Sequence, residues 1–246
     1  MRPLNARLAL AGALLAVSLP GSAKAAPVIT ISAQGLANAA LAETTFLGGL
    51  GASVTESFEG FSAVYKSTTV VTSVGSFKQL EKGNEIKDCT SAPIGGCTGL
   101  VVLKASESPF DGRFAAGAAH WLDSNDSKKM SFEAVAPWNS IGFYITDPSD
   151  VGAKLKLKGY NGAGVEVFSK TLFDPDLASG RVYYVSIYDA LGIKSLTFYS
   201  DAGSDNDGFG LDKFTVGNSG AVPEPGSLFL LGAGLVGFAA LRRRHP

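Results

Sequence analysis

The chain has 246 residues with 21 basic and 22 acidic side chains, and six of the basic residues against one acidic fall in its first 25 and last 26 positions. The stretch 26–220 therefore carries 15 positive and 21 negative charges, a net −6. That balance argues against a nucleic-acid partner, since phosphate binding needs clustered Lys and Arg, while the length suits one β-sandwich with a substantial core.

At the N-terminus, Arg2 and Arg7 precede a 12-residue apolar run, 8–19, and a break at Pro20 and Gly21. Ala23-Lys24-Ala25 then places small residues at the two positions that a signal peptidase reads. Residues 1–25 are therefore expected to be a cleaved signal peptide, with the cut after Ala25. The run falls short of the roughly 20 residues needed to span a bilayer, which argues against a retained anchor.

Leu36, Ala40, Leu47 and Leu50 recur at near-helical spacing, so one short helix is expected over 36–50. After Gly51 the texture changes to short runs of alternating polarity rich in β-branched and aromatic residues. Strands are expected at 54–61, 68–74, 99–104, 130–134, 141–145, 153–160, 165–169, 181–188, 193–200 and 211–216. The clearest is 153–160, where Lys154, Lys156 and Lys158 alternate with Leu155 and Leu157, one face wet and one buried. Asn161-Gly162 turns it into the next strand as a hairpin. With no helices between the strands, the pattern predicts a single antiparallel β-sandwich of jelly-roll type over 26–220, an extracellular domain.

Cys89 and Cys97 are the only cysteines, with seven residues between them in a Gly- and Pro-containing stretch. In an exported protein such a pair most simply forms a disulfide. A metal pair is the alternative, but no second Cys or His cluster completes four ligands.

The tail, 221–246, reads Val-Pro223-Glu224-Pro225-Gly-Ser, then a 14-residue apolar stretch at 228–241, then Arg242-Arg243-Arg244. The prolines hold the approach extended, where a protease can reach it. A helix over the apolar stretch would be about 21 Å long, enough for a thin or locally deformed bilayer, and three arginines after it fix that end in the cytoplasm. Motif, Gly-rich stretch and basic end together closely resemble the PEP-CTERM sorting signal of exopolysaccharide-producing Gram-negative bacteria. The resemblance implies transient inner-membrane anchoring and processing by an exosortase, a membrane-embedded cysteine protease, followed by release to the cell surface or beyond.

Catalytic signatures are sparse. His120 is the only histidine between the two ends, and Gly-x-Ser-x-Gly, His-Glu-x-x-His and nucleotide-binding glycine motifs are absent from the sequence. Acidic loops are numerous, but none singles out a pair for glycoside hydrolysis. Asp212 falls on the same predicted strand face as Phe214 and Val216, which would bury it, and a buried carboxylate needs a cation or several donors. With Ser57-Phe-Glu59-Gly-Phe61, the last-strand segment resembles carbohydrate-binding and discoidin-like jelly rolls. That resemblance implies a structural Ca²⁺ held by Glu59 and Asp212; a solvated loop with Asp212 paired to a lysine is the alternative. Trp121, Trp138, Tyr144, Tyr160, Tyr183, Tyr184 and Tyr188 are the aromatics that could include a sugar-stacking platform.

These observations lead to a non-catalytic surface or matrix protein associated with exopolysaccharide and biofilm. A secreted hydrolase acting on polysaccharide or protein, and a purely structural coat or adhesion subunit, are the alternatives.

Overall fold

The computed structural model describes residues 26–62, 64–83, 98–108, 110–117, 119–150, 152–174, 177–201 and 207–220. The expected signal peptide with its Ala23 and Ala25 site, the expected pairing of Cys89 with Cys97, and the sorting tail with Pro223, Glu224, Pro225 and Arg242 to Arg244 lie outside them. The chain runs β1 (Val28–Ile31), α1 (Leu36–Gly48), β2 (Leu50–Glu56), β3 (Tyr65–Ser67), β4 (Thr69–Val71), β5 (Gly75–Glu81), β6 (Leu100–Lys104), β7 (His120–Asp123), β8 (Lys129–Thr146), β9 (Lys154–Tyr160), β10 (Glu166–Phe173), β11 (Val182–Asp201) and β12 (Gly210–Ser219). Every pairing between them is antiparallel.

Two long strands make the sandwich. β8 and β11 each run through both layers and bend between them, where their mutual register shifts between Tyr188 and Ser195 and Pro137 lies in the β8 segment opposite. Proline has no N–H to give a ladder, so a strand accepts it at such an irregularity. In the first layer the order is β4-β5-β8-β11-β9-β10, using the start of β8 and the end of β11. In the second, β1 pairs with the start of β11, which pairs with the end of β8; that end of β8 pairs with β12, and β12 continues to β2 over 214–219 and to β7, β6 and β3 at its start. The two strands expected at 130–134 and 141–145 are thus one, as are those at 181–188 and 193–200. The expected strand 68–74 is only the three-residue β4, with 72–74 turning the chain into β5.

Between the layers, Phe214 of β12 stacks on Phe143 at 5.1 Å, with Phe132 at 4.4 Å and Phe77 edge-on at 5.0 Å. All four are fully buried. Burying such a ring contributes about 1.5–3 kcal/mol, so this contact is a main tie between layers. Helix α1 covers the outer side of the second layer, where Phe46 packs against Tyr184 at 5.8 Å. Gly142 makes room: a Cβ there would stand 2.3 Å from Tyr184 Oη and 2.6 Å from a Phe46 ring carbon.

Candidate functional site

Glu59 and Asp212 do not lie where the strand pattern put them. β2 ends at Glu56, so Glu59 sits in the turn beyond it. In β12 a bulge intervenes: Leu211 and Asp212 pair with Ile145 and Tyr144, but Thr215 pairs with Gly142, and Lys213 takes φ 45°. The extra residue reverses the alternation after Asp212. Leu211, Phe214 and Val216 join the main core, while Asp212 turns to the Tyr144 side beneath α1.

The two acids nevertheless meet one segment, 116–120. Glu59 Oε1 accepts the Ala119 and His120 amides at 2.8 and 2.7 Å, and its Oε2 stands 2.9 Å from His120 Nδ1. Asp212 Oδ2 accepts the Gly117 amide at 3.0 Å and Oδ1 the Lys213 amide at 2.6 Å. Partial burial works against the Glu59 charge, but His120 and the two amides outweigh it and hold the group below its ordinary range. Asp212 is 1% exposed, and burial pushes it up to about 6 against the opposing amides and the Lys213 ammonium. Each of the four carboxylate oxygens faces an N–H donor, a surrounding that does not fit a hard dication seeking oxygen ligands. Among the described residues no three His, Cys, Asp or Glu side chains are placed to hold a metal. EGTA is accordingly expected to leave the melting temperature unchanged, while Asp212→Ala lowers it in buffer with or without calcium. A clear EGTA-induced drop that Asp212→Ala abolishes would restore the calcium bridge.

A second polar cluster closes the end of the sandwich away from the bend. Arg113, 8% exposed, reaches Asp123 at 3.1 Å, Asp126 at 2.6 Å and Asp147 at 3.8 Å. Its guanidinium lies 4.1 Å from the Phe110 ring centroid, and Gly208 packs so closely that a Cβ would come within 2.4 Å of Nη1. Burial works against its charge, yet the three aspartates outweigh that and raise its pKa. Asp123, Asp147 and Asp150 are pushed above their ordinary range, first by burial. Sequence reading missed this hub, because Arg113, the Asp123–Asp126 turn at the end of β7 and Asp147 after β8 come from three separate stretches of the chain.

The surface best suited to a ligand is the outer face of the first layer. Phe198 points inward, so its neighbours Thr197 and Tyr199 point out. Tyr199 stands directly between Lys129 of β8 and Lys156 of β9. Lys129 Nζ lies 4.9 Å and Lys158 Nζ 5.9 Å from its ring centroid. Glu166 of β10 bonds Lys158 at 2.9 Å and raises its pKa. Tyr160 stands two rows away on the same face, paired with Ser195 and Glu166. Of the seven aromatics singled out from the sequence, only Tyr160 lies on this face; Trp121, Tyr144 and Tyr184 are buried, and Trp138 and Tyr183 pack against the core. Tyr199 escaped notice, although the alternation of 193–200 already placed it opposite Phe198.

Residues 221–244 match the family model for the PEP-CTERM protein-sorting motif. The chain carries a PEP-CTERM sorting signal. It is thus an exported protein, processed by an exosortase at the membrane and sorted to the cell surface or extracellular space. No curated protein matches the chain. Among solved structures it is similar to the K2 cleaved adhesin domain of Lys-gingipain, at 13% identity over 67% of this chain and 97% of that one, with a TM-score of 0.40. An arabinose-bound α-L-arabinofuranosidase matches at 12% identity, over 69% of this chain and 27% of the enzyme, with a TM-score of 0.38. A mutant of the carbohydrate-binding module CBM29-2 matches at 14% identity, over 71% of this chain and 99% of the module, with a TM-score of 0.28. Overlaps this loose decide nothing about function.

Proposed function

We propose that the exported domain is a non-catalytic surface or matrix protein that binds an acidic exopolysaccharide on the outer face of β8, β11 and β9. The observation that carries this reading is Tyr199, flanked in register by Lys129 and Lys156 with Lys158 beside it. An aromatic ring offers a flat apolar surface to a sugar face, and ammonium groups around it attract carboxylates. The domain as a whole carries a net −6 and repels polyanions, so binding must be local to this face and sensitive to salt.

The test is binding of the purified domain to a polyuronate and to a neutral glucan in low and physiological salt. The polyuronate should bind more tightly and weaken as salt rises. Tyr199→Ala should cost roughly tenfold in affinity, on the scale of one aromatic contact, and Lys129→Ala should remove part of the salt dependence. Equal binding of the neutral glucan, or a Tyr199→Ala domain that binds as the parent does, would sink the assignment.

A further inference from the structure

The end of the sandwich opposite the Arg113 hub is poor in charged side chains at its surface, with Lys194, which donates to the Val135 carbonyl at 3.2 Å and pairs with Glu133, at its margin, and it is where the chain leaves for the sorting tail. Gly220, the last described residue, donates its amide to Gly49 at 3.2 Å. Ser219 donates its own to Asn139 Oδ1 at 2.8 Å. Pro137, two residues before Asn139, adjoins two further turns: an ideal Cβ on Gly192 would lie 3.4 Å from Pro137 Cβ, and one on Gly162 would lie 3.5 Å from its Cγ. Val28 pairs with Tyr188 beside the same bend. Five chain segments thus converge here: 48–52, 135–139, 161–165, 190–192 and 218–220.

None of these segments contains Lys, Arg, Asp or Glu. Asp189, next to them, is 2% exposed and accepts the Leu191 amide. Large apolar side chains stand out instead: Val135 is 72% exposed, Val165 58%, and Val28 and Leu191 57% each. Helix α1 continues this surface. Its single charge, Glu43, turns inward to Tyr144 and Lys213 at 2.7 and 3.1 Å. The hydroxyls of Thr44 and Thr45 bond back to the carbonyls of Ala40 and Leu41, both at 2.9 Å. Leu36, Leu41 and Leu47 are left exposed beside them. Single exposed apolar residues need no explanation, but a cluster of them with so little charge marks a binding surface.

The sequence supplies the occupant. Only seven residues, 221–227, separate Gly220 from the apolar stretch that begins at Leu228. Fully extended, seven residues reach about 25 Å, so while the tail is in the bilayer this end cannot be far from it. We infer that, before the tail is cut, the bend end of the domain rests on the lipid surface, with Leu191, Val135 and Val165 at the headgroup boundary and α1 alongside. The one lysine at the margin of the patch, Lys194, is held by Glu133 and by the Ala134 and Val135 carbonyls, so docking depends little on anionic lipid. The domain is thereby held in one orientation, with its exit segment against the membrane where the protease acts and its lysine face clear of it. This inference rests on the sorting tail and is independent of the glycan reading.

The experiment uses the tail-bearing chain, residues 26–246, in phosphatidylcholine vesicles, with a photoreactive phenylalanine analogue at Leu191 or, as the far-end control, at Asp111. Lipid adducts are expected at position 191 and not at 111, and added phosphatidylglycerol should leave the yield unchanged. With the probe at Val165, Leu191→Glu should cut lipid adducts several-fold. Equal adducts at 191 and 111, a Val165 yield untouched by Leu191→Glu, or adducts at 191 to a second copy of the chain would each overturn the inference. Glycan binding by the same chain is read separately, so the failure of one proposal leaves the other standing.

Discussion

Arg113→Gln is expected to destabilise the domain by about 3–5 kcal/mol, the scale for removing one partner of a buried ion pair. Asp123, Asp126 and Asp147 are 0%, 3% and 2% exposed, and the guanidinium is the cation they share. Without it three carboxylates remain in a dry site, and the domain must either protonate them or open the loops to water. A loss of that size is a large share of the roughly 5–15 kcal/mol that a domain has in total. Urea unfolding at neutral pH measures it. The variant should regain stability as pH falls, because protonation removes the repulsion that the arginine had balanced. A loss below about 1 kcal/mol, within the range of exposed ion pairs, would show that the cluster is solvated. Arg113→Lys should fall between, since an ammonium cannot reproduce a planar fork with donors to several carboxylates at once.

The domain should also melt at higher temperature in mildly acidic than in neutral buffer, the reverse of a protein held together by carboxylates paired to cations. The sign follows from Asp212, whose folded pKa of about 6 lies above its ordinary value of 3.8. Between those values the folded state binds more protons than the unfolded one, so stability falls as pH rises through the window and is lost fully above it. The shift corresponds to roughly 3 kcal/mol. Asp123, Asp147 and Asp150 are raised as well and act in the same direction, whereas Glu59 is lowered and works against further acidification only below its ordinary value of 4.5. Melting scans from about pH 7.5 down to about pH 5 should therefore show a rise. Asp212→Asn should flatten part of the slope, while giving up one of the two amide bonds, since its NH2 cannot accept. A parent domain whose melting temperature falls steadily over that range would refute the burial argument for these carboxylates.

What the sequence determined by itself was whatever depends on neighbours along the chain. The sorting motif is a linear address read in an extended segment. The signal-peptide reading likewise needs only charge, apolar length and small residues in order. Alternation in 153–160 is enough to say that Lys154, Lys156 and Lys158 share a wet face, because the strand period is two wherever the strand is placed. The helix at α1 was legible for the same local reason, and so was the all-β class.

The tertiary structure decided everything that depends on register or on convergence. One extra residue at Lys213 moved Asp212 from the Phe214 face to the other side of β12, and no local pattern announces a bulge that the pairing with β8 imposes. Arg113 became a hub only because 110–117 crosses the loops holding Asp123, Asp126 and Asp147. Tyr199 acquired its lysines from β8 and β9, strands 70 and 43 residues away at Lys129 and Lys156, through ladder hydrogen bonds that fix who stands opposite whom. The charge-poor end is likewise assembled from five chain segments, each ordinary alone. Periodicity says which way a side chain points from its own strand, but which strand lies next to it is settled by the packing of the whole sandwich.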